Sequence, residues 1–355
     1  MKATVRPLKG TDSQEDLARL RILVRPQSPE SYDAEWQSSI WRWMESHPLA
    51  DRIYRWVVVA QGEIVGHLAA LPQYYYINGQ RVVAHTPAEY MVLPEYGFYA
   101  ITLMRKLFRT CDNCVTSDTA TAVIGIETRL GAEEAGRLQF AAKLRNIAAL
   151  PDFAASVPRP LRQPLNWGLQ AVDAALNHTA TDDLKAETLE DFDETFDELF
   201  ESVAAAMPCV PEKNAAFLRW RYGPGSPQFP VTILGVRCGE ALLGYAVLWV
   251  TRDGCIGYLL DLTTRPGRHD VARALLRGAV RHFGRLRVHS VRYRFAESPT
   301  SPRKKDLLRS GFILGSKKRQ VLLVRFADNA LHETANDTVN WSYSYGDGEG
   351  SFWIA

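Results

Sequence analysis

The chain repeats itself at a fixed distance. Arg42-Trp43 recurs as Arg219-Trp220 and Gly62-Glu63 as Gly239-Glu240, both 177 residues on (42 to 219, 62 to 239). A long-period repeat means that one supersecondary unit is built more than once. Each Gly-Glu lies between two apolar runs of strand length, 58–60 with 64–66 and 235–238 with 241–244. Glycine accepts the positive φ of a tight turn, so each run pair reads as a β-hairpin. Asn78-Gly79 and Asp253-Gly254 mark a second hairpin turn in each copy.

Helical spacing follows the strands. Residues 100–109 and 271–283 carry Leu, Met, Ala and Arg with apolar positions at helical intervals. Leu93-Pro94 leads into the first and Arg265-Pro266 into the second. A helix leucine stands nine residues after each proline (94 to 103, 266 to 275), and an acid, Glu89 or Asp261, five before it. Further helices are expected at 132–144, at 167–176, and at 187–201, where Phe192, Phe196, Leu199 and Phe200 form the apolar stripe. The acids of this last segment read as a solvated face. The Pro-rich stretch 151–164 suggests a boundary, giving domains at 1–163 and 181–328, a connecting helix or linker at 164–180 and a tail at 329–355. The tail turns aromatic at Trp341, Tyr343, Tyr345 and Trp353. It is expected either to dock or to be partly disordered.

With 355 residues there is material for two cores without disulfide or metal staples. The 42 basic and 40 acidic residues leave a formal charge of +2, which gives no general attraction to nucleic acid or an anionic membrane. Local basic runs at Arg303-Lys304-Lys305 and Lys317-Lys318-Arg319 read as solvated faces. No apolar run approaches the ~18 residues of a spanning helix, and no signal peptide is visible at the N-terminus. Five cysteines suit a reducing, cytoplasmic setting, and Cys111-x-x-Cys114 has no second pair to complete a zinc site. No metal is expected, and the oligomeric state is not readable.

The order helix, hairpin, long strand, proline-led turn, helix, strand, helix, strand resembles the GNAT fold of acetyl-CoA-dependent N-acetyltransferases, and it occurs twice. The chain also resembles bacterial tandem GNAT-like proteins associated with polysaccharide biosynthesis. The resemblance rests on Trp41-Arg42-Trp43, Ile64-Val65-Gly66-His67, Tyr90-Met91-Val92-Leu93-Pro94-Glu95-Tyr96, Ala149-Leu150-Pro151-Asp152-Phe153, Ser310-Gly311-Phe312 and residues 341–347. It implies an α/β (α+β) architecture of two tandem GNAT-like domains, each a mixed, mainly antiparallel sheet flanked by helices. It further implies acetyl-CoA or another acyl-CoA as donor, and a small amine or amino sugar as acceptor.

The family motif Q/R-x-x-G-x-G/A lets backbone N–H groups at a helix N-terminus hold the CoA pyrophosphate. It aligns with residues 95–100 and 267–272, where Ala100 and Ala272 match. Glu95 or Gly267 stands at the Q/R position, and Phe98 or Asp270 at the first glycine. The cofactor-binding candidates are Gly97 and Ala100 in the first copy and Arg265, Arg268, His269 and Ala272 in the second. Glu89 and Asp261 occupy the position from which a carboxylate serves the family as general base. The family's tyrosine acid has no counterpart, since Leu307 stands there in the second copy and Gln139 and Phe140 lie near it in the first. His67 and His85 flank the first cleft, and Trp41, Trp43, Tyr74, Tyr75 and Tyr76 offer surfaces for sugar stacking or for a core. Two rival readings stay open. One is a non-catalytic binding or scaffold protein with degenerate CoA loops; the other is an aminoacyl transferase dependent on charged tRNA.

Overall fold

The computed structural model describes residues 3–150, 155–178, 184–315, 320–352 and 354. The first half runs β1 (Thr4–Pro7), α1 (Gln14–Val24), α2 (Ala34–Glu45), β2 (Tyr54–Ala60), β3 (Glu63–Ile77), β4 (Gln80–Val92), α3 (Phe98–Thr110), β5 (Cys114–Asp118), α4 (Thr121–Arg129), β6 (Glu133–Arg137) and β7 (Gln139–Leu144). Helix α5 (Arg159–His178) then leads into β8 (Glu187–Leu189), α6 (Thr195–Ala206), β9 (Cys209–Pro211), α7 (Ala215–Tyr222), β10 (Thr232–Cys238), β11 (Ala241–Val250) and β12 (Ile256–Thr264). The chain ends with α8 (His269–Arg285), β13 (Ser290–Phe295), α9 (Lys304–Arg309), β14 (Ile313–Gly315), β15 (Val321–Arg325) and α10 (Asn329–Ala335).

The hairpin turns form for the reason the sequence gives. Gln61, Gly62, Asn78, Gly79, Gly239 and Gly254 all have positive φ, the mirror-image turn geometry that matches strand twist. Helix α3 turns Leu103, Met104, Leu107 and Phe108 onto β2, β3 and β15, while α1 and α2 cover the opposite face of that sheet. In the second sheet α8 packs on one face and α6 with α7 on the other.

The two sheets cross the expected boundary. The first has the order β1-β2-β3-β4-β5-β15-β6, with β9 also paired to β3; the second is β14-β7-β13-β12-β11-β10-β8. Strand β15, from the end of the chain, thus sits between β5 and β6, and β7, from the first half, sits between β13 and β14.

The helix expected at 132–144 is instead the strands β6 and β7. Their partners arrive from the far half, and cross-strand pairing overrides local helical preference. The segment 187–201 also divides: Glu187–Leu189 pairs with β10, and the helix begins at Thr195, whose N–H donates to the Asp193 carboxylate at 3.1 Å. Residues 167–176 lie within α5.

The tail docks as far as Phe352; Trp353 lies outside the described residues, as do Lys317, Lys318 and Arg319. Arg303 pairs with Asp306 at 2.8 Å and Lys304 with Glu297 at 2.9 Å, so two of the three cations of this basic run are paired with acids. Cys111 caps α3 and Cys114 opens β5. Burial pushes the Cys111 thiol up to about 12 and raises Cys114 as well, so both act as small core residues.

The repeat-related tryptophans meet. Trp43 and Trp220 stack with ring centroids 4.6 Å apart and planes within 6°. Trp43 Nε1 donates to the Trp220 carbonyl and Trp220 Nε1 to the Trp43 carbonyl, both at 2.9 Å. This is the reciprocity of a two-fold contact, made within one chain.

Candidate active site

Strand β4 carries an extra residue where it passes β3. Ala88 pairs with Ala69 and Met91 with His67, so Glu89 and Tyr90 together oppose Leu68. Glu89 takes the left-handed conformation there, with φ of 51°. A non-glycine residue held so costs on the order of 1–3 kcal/mol, and such strain clusters at working sites.

The Glu89 side chain is buried and accepts from Arg21 of α1. Its other oxygen lies 3.8 Å from His67 Nδ1. Burial lowers His67 to about 4, against the opposing pull of Glu89, so its ring is neutral near pH 7. Arg55 lies 4.4 Å over the Trp41 ring. Its charged form is disfavoured first by burial and favoured by Glu89 and Glu45. Above this group a cavity of about 430 Å³ opens between α1 and α2, with Glu89, Arg21, Trp41, Gln14, Gln37 and Ser38 in its lining.

Asp261, the counterpart in the second half, is placed differently. It is 1% exposed and accepts from Tyr245 at 2.7 Å, Ser344 at 2.8 Å, and Lys213 and Thr263 at 3.1 Å. Burial opposes its ionisation, but Lys213 and these hydrogen bonds hold it below the usual carboxylate range. Asp347 lies 2.9 Å from the same ammonium and is raised, by burial first and then by the charge of Asp261. These groups form a sealed network that fastens the tail. Proton exchange with an acceptor needs an opening, which Glu89 has.

The second-half loop uses its donors internally. Arg268 pairs with Asp270 at 2.7 Å, the Gly267 N–H goes to Pro299 O at 2.8 Å, and Arg265 donates through Nε to Leu242 O at 3.2 Å. His269 opens α8, and Ala272 is fully buried in the core beneath it. Of these four candidates, Arg265 and Arg268 are engaged within the protein and Ala272 is buried. In the first half, residues Pro94–Tyr96 form a single turn into α3, Gly97 is the cap, and Ala100 lies in the first helical turn.

The other sequence candidates divide between wall and core. Trp41 lines the cavity, while Tyr75 is core and Tyr76 packs on Phe200. Arg81 lies 3.5 Å over the Tyr74 ring, and buried His85 contacts Arg52 O at 3.1 Å. The sequence did not single out Arg21, Arg55, Glu127 or Lys213, since an isolated charge on an amphipathic helix or strand carries no spacing signal.

Each sheet has one parallel pair that opens out. Strands β4 and β5 pair only at His85 and Cys114, and β12 and β13 only over Ile256–Leu259. The tail enters both openings. Residues Tyr345–Asp347 pack on β12 and β13, and Glu349–Ser351 on β4 and β5. Buried Arg221 donates to Ser351 Oγ at 2.6 Å, and Gln228 to the carbonyls of Ser351 and Phe352 at 2.8 and 3.0 Å. The Glu89 N–H points to Glu349 Oε1 at 3.4 Å.

Mixed sheets with a splayed parallel pair and helices on both faces define the fold of the GCN5-related N-acetyltransferases. A solved member from Anabaena variabilis matches with a TM-score of 0.60 at 15% identity, over 94% of this chain and 75% of that one. Another, from Kribbella flavida, gives 0.58 at 13% identity, over 94% and 74%. Saccharomyces cerevisiae N-myristoyltransferase with bound myristoyl-CoA gives 0.59 at 13% identity, over 95% and 86%. At these identities the likeness is one of fold. No family model matches the sequence, and no curated protein matches it.

Proposed function

We propose that the chain is an acyl-CoA-dependent N-acyltransferase whose reaction takes place in the first half, with Glu89 as general base. The observation that carries this reading is the strained, buried Glu89 carboxylate at the floor of the α1–α2 cavity. The acceptor is a small amine or amino sugar: a cavity of about 430 Å³ with Trp41 and several amide and hydroxyl side chains suits a polar molecule of that size. A tandem GNAT-like arrangement is supported by the 177-residue repeat and the reciprocal tryptophans. A cytoplasmic setting rests on the sparse cysteines, and a role in polysaccharide or envelope synthesis on the sequence resemblance; among the described residues, no helix is long and apolar enough to cross a membrane.

The residues around the first opening fit an acyl-CoA. The Tyr90 hydroxyl on β4 and Glu127 Oε1 on α4 are buried with no hydrogen-bond partner among the described residues, Glu127 lying beside Thr116 of β5. These are groups that the amides of a pantetheine chain would satisfy. Gly97 leaves the start of α3 without a side-chain cap, so its first amides can receive phosphate. When bound, the thioester supplies an activated acyl group.

Arg21 aims the Glu89 carboxylate through the hydrogen bond it donates. Glu89 takes the proton of the acceptor ammonium, which frees the nitrogen lone pair for attack. A C–N bond forms as the C–S bond breaks; the nitrogen gives its second proton to solvent, and the departing thiolate takes its proton from solvent. Thiol release should be followed with acetyl-CoA and longer acyl-CoAs against a panel of amines and amino sugars. Glu89→Gln should lower kcat/KM by roughly 10²–10⁴-fold in a folded protein. An unchanged rate, or no thiol release from any pair, would sink the proposal.

One observation favours the binding-protein reading. The Glu349 carboxylate stands against the bulge N–H of Glu89, where an incoming carbonyl oxygen would otherwise be received. On that reading Glu349→Gln leaves the panel silent; on the enzymatic one it leaves activity in place or raises it.

A further inference from the structure

Strand β13 places Ser290, Arg292 and Arg294 on one face, since alternate residues of a strand point the same way. Their ladder partners on β7 are Leu144, Ala142 and Phe140, and β14 adds Ile313 opposite Ala142 and Gly315 opposite Phe140. Small residues at 142 and 315 leave a trough in this three-stranded floor. A Cβ on Gly315 would lie 2.7 Å from the Phe140 ring, so the ring rests over the glycine. The cavity above measures about 520 Å³, and Ala149 and Leu150 form a wall.

Three features of this trough are left exposed or without an ionic or hydrogen-bonding partner among the described residues. Ser290 is 7% exposed and its hydroxyl has no hydrogen-bond partner among the described residues. Arg292 and Arg294, both half-buried, form no ion pair among the described residues. Their polar contacts are neutral: Arg292 donates to the Tyr258 hydroxyl at 3.2 Å, and Arg294 to Gln320 Oε1 at 3.4 Å. Both guanidiniums lie against rings, Arg292 at 5.9 Å from Tyr258, and Arg294 at 5.5 Å from Phe140 and 5.0 Å from Tyr345. Finally, Ile313 is 68% exposed and Leu150 47%, at the rim of the same cavity.

Half-buried cations without a carboxylate are incomplete, and they favour an anionic ligand. Two guanidinium forks on alternate strand positions start about 7 Å apart and can converge on adjacent phosphoryl groups, one fork to each. We propose that this trough binds the diphosphate ester of an organic molecule. Arg292 and Arg294 hold the diphosphate, Ser290 bonds an oxygen of the ester, and Phe140, Leu150 and Ile313 cover its body. The site lies in the second sheet, apart from Glu89, and does not depend on the acyltransfer reading.

Titration calorimetry at low salt with inorganic pyrophosphate, uridine diphosphate and geranyl diphosphate tests this on the full chain. One of the two esters should bind at least tenfold more tightly than pyrophosphate, and which one identifies the body as a flat base or an aliphatic chain. Arg292→Gln with Arg294→Gln should weaken that binding by at least tenfold, with the melting temperature monitored as a check on folding. Should the double variant fail to fold, Ala142→Leu, which fills the trough, serves in its place. Three outcomes overturn the proposal: no binding of any probe at millimolar concentration, equal binding of pyrophosphate and both esters, or ester binding that survives the substitutions.

Discussion

Glu127 shows what one buried side chain does to the whole protein's response to pH. It is fully buried on α4, accepts from Thr116 at 2.8 Å through one oxygen, and has no partner for the other among the described residues. Burial pushes its carboxyl from 4.5 up to about 8, with the Thr116 bond opposing. Between those values the folded state holds a proton that the unfolded chain has released. Stability therefore falls as pH rises through this window, and the contribution is lost above the folded value. Glu127→Gln keeps the shape and removes the titration. It should raise stability at pH 8 by on the order of a few kcal/mol and change little near pH 5. Thermal melts of both proteins at the two pH values check this, and an equal difference at both would exclude it. If Glu127 also receives the donor's amides, the variant should keep kcat and raise KM for the acyl-CoA.

At the scale of elements, the stacked tryptophans join α2 to α7 by two hydrogen bonds and one stack. Trp220→Phe removes one of the two donors to the Trp43 carbonyl, which keeps the Ser46 hydroxyl, at a cost of about 1 kcal/mol. Because the contact is reciprocal, Trp43→Phe with Trp220→Phe should cost measurably less or more than the two single changes added. Additive losses in denaturant unfolding would mean the two bonds are independent. The repeat that revealed this pair also made the hairpins and the helices α3 and α8 legible, since Asn-Gly, Asp-Gly and heptad-like apolar spacing are local signals. Glu89 stood out as a candidate for the same reason, at a fixed distance before Pro94. Strands β6 and β7 were not: 132–144 has ordinary helix formers, and its strand state is imposed by β15 and β13, which lie far along the chain. Arg21, Arg55 and Ser290 escaped because what marks each of them is the groups it meets in three dimensions.

The whole molecule is tied together by what crosses its middle. Each sheet holds a strand from the opposite half, and one tail segment lies in both openings. Residues 1–163 alone lack β15, and 181–355 alone lack β7, so neither fragment should give a native fold. Produced together, the two should associate into one particle, as judged by size-exclusion chromatography and circular dichroism; a well-folded isolated fragment would contradict this. The exchanged strand also sets a schedule during synthesis. Strand β5 leaves the ribosome about 200 residues before its neighbour β15, which at about 5–20 residues per second is roughly 10–40 s. During that interval the first sheet has an unpaired edge beside β5, and N-terminal-first assembly stops short of completion. Folding of the first sheet is thus coupled to the synthesis of residues 321–325: a chain broken off before residue 321 leaves that edge open to chaperones and proteases, and a stop shortly before it should be as damaging to accumulation as one in the middle.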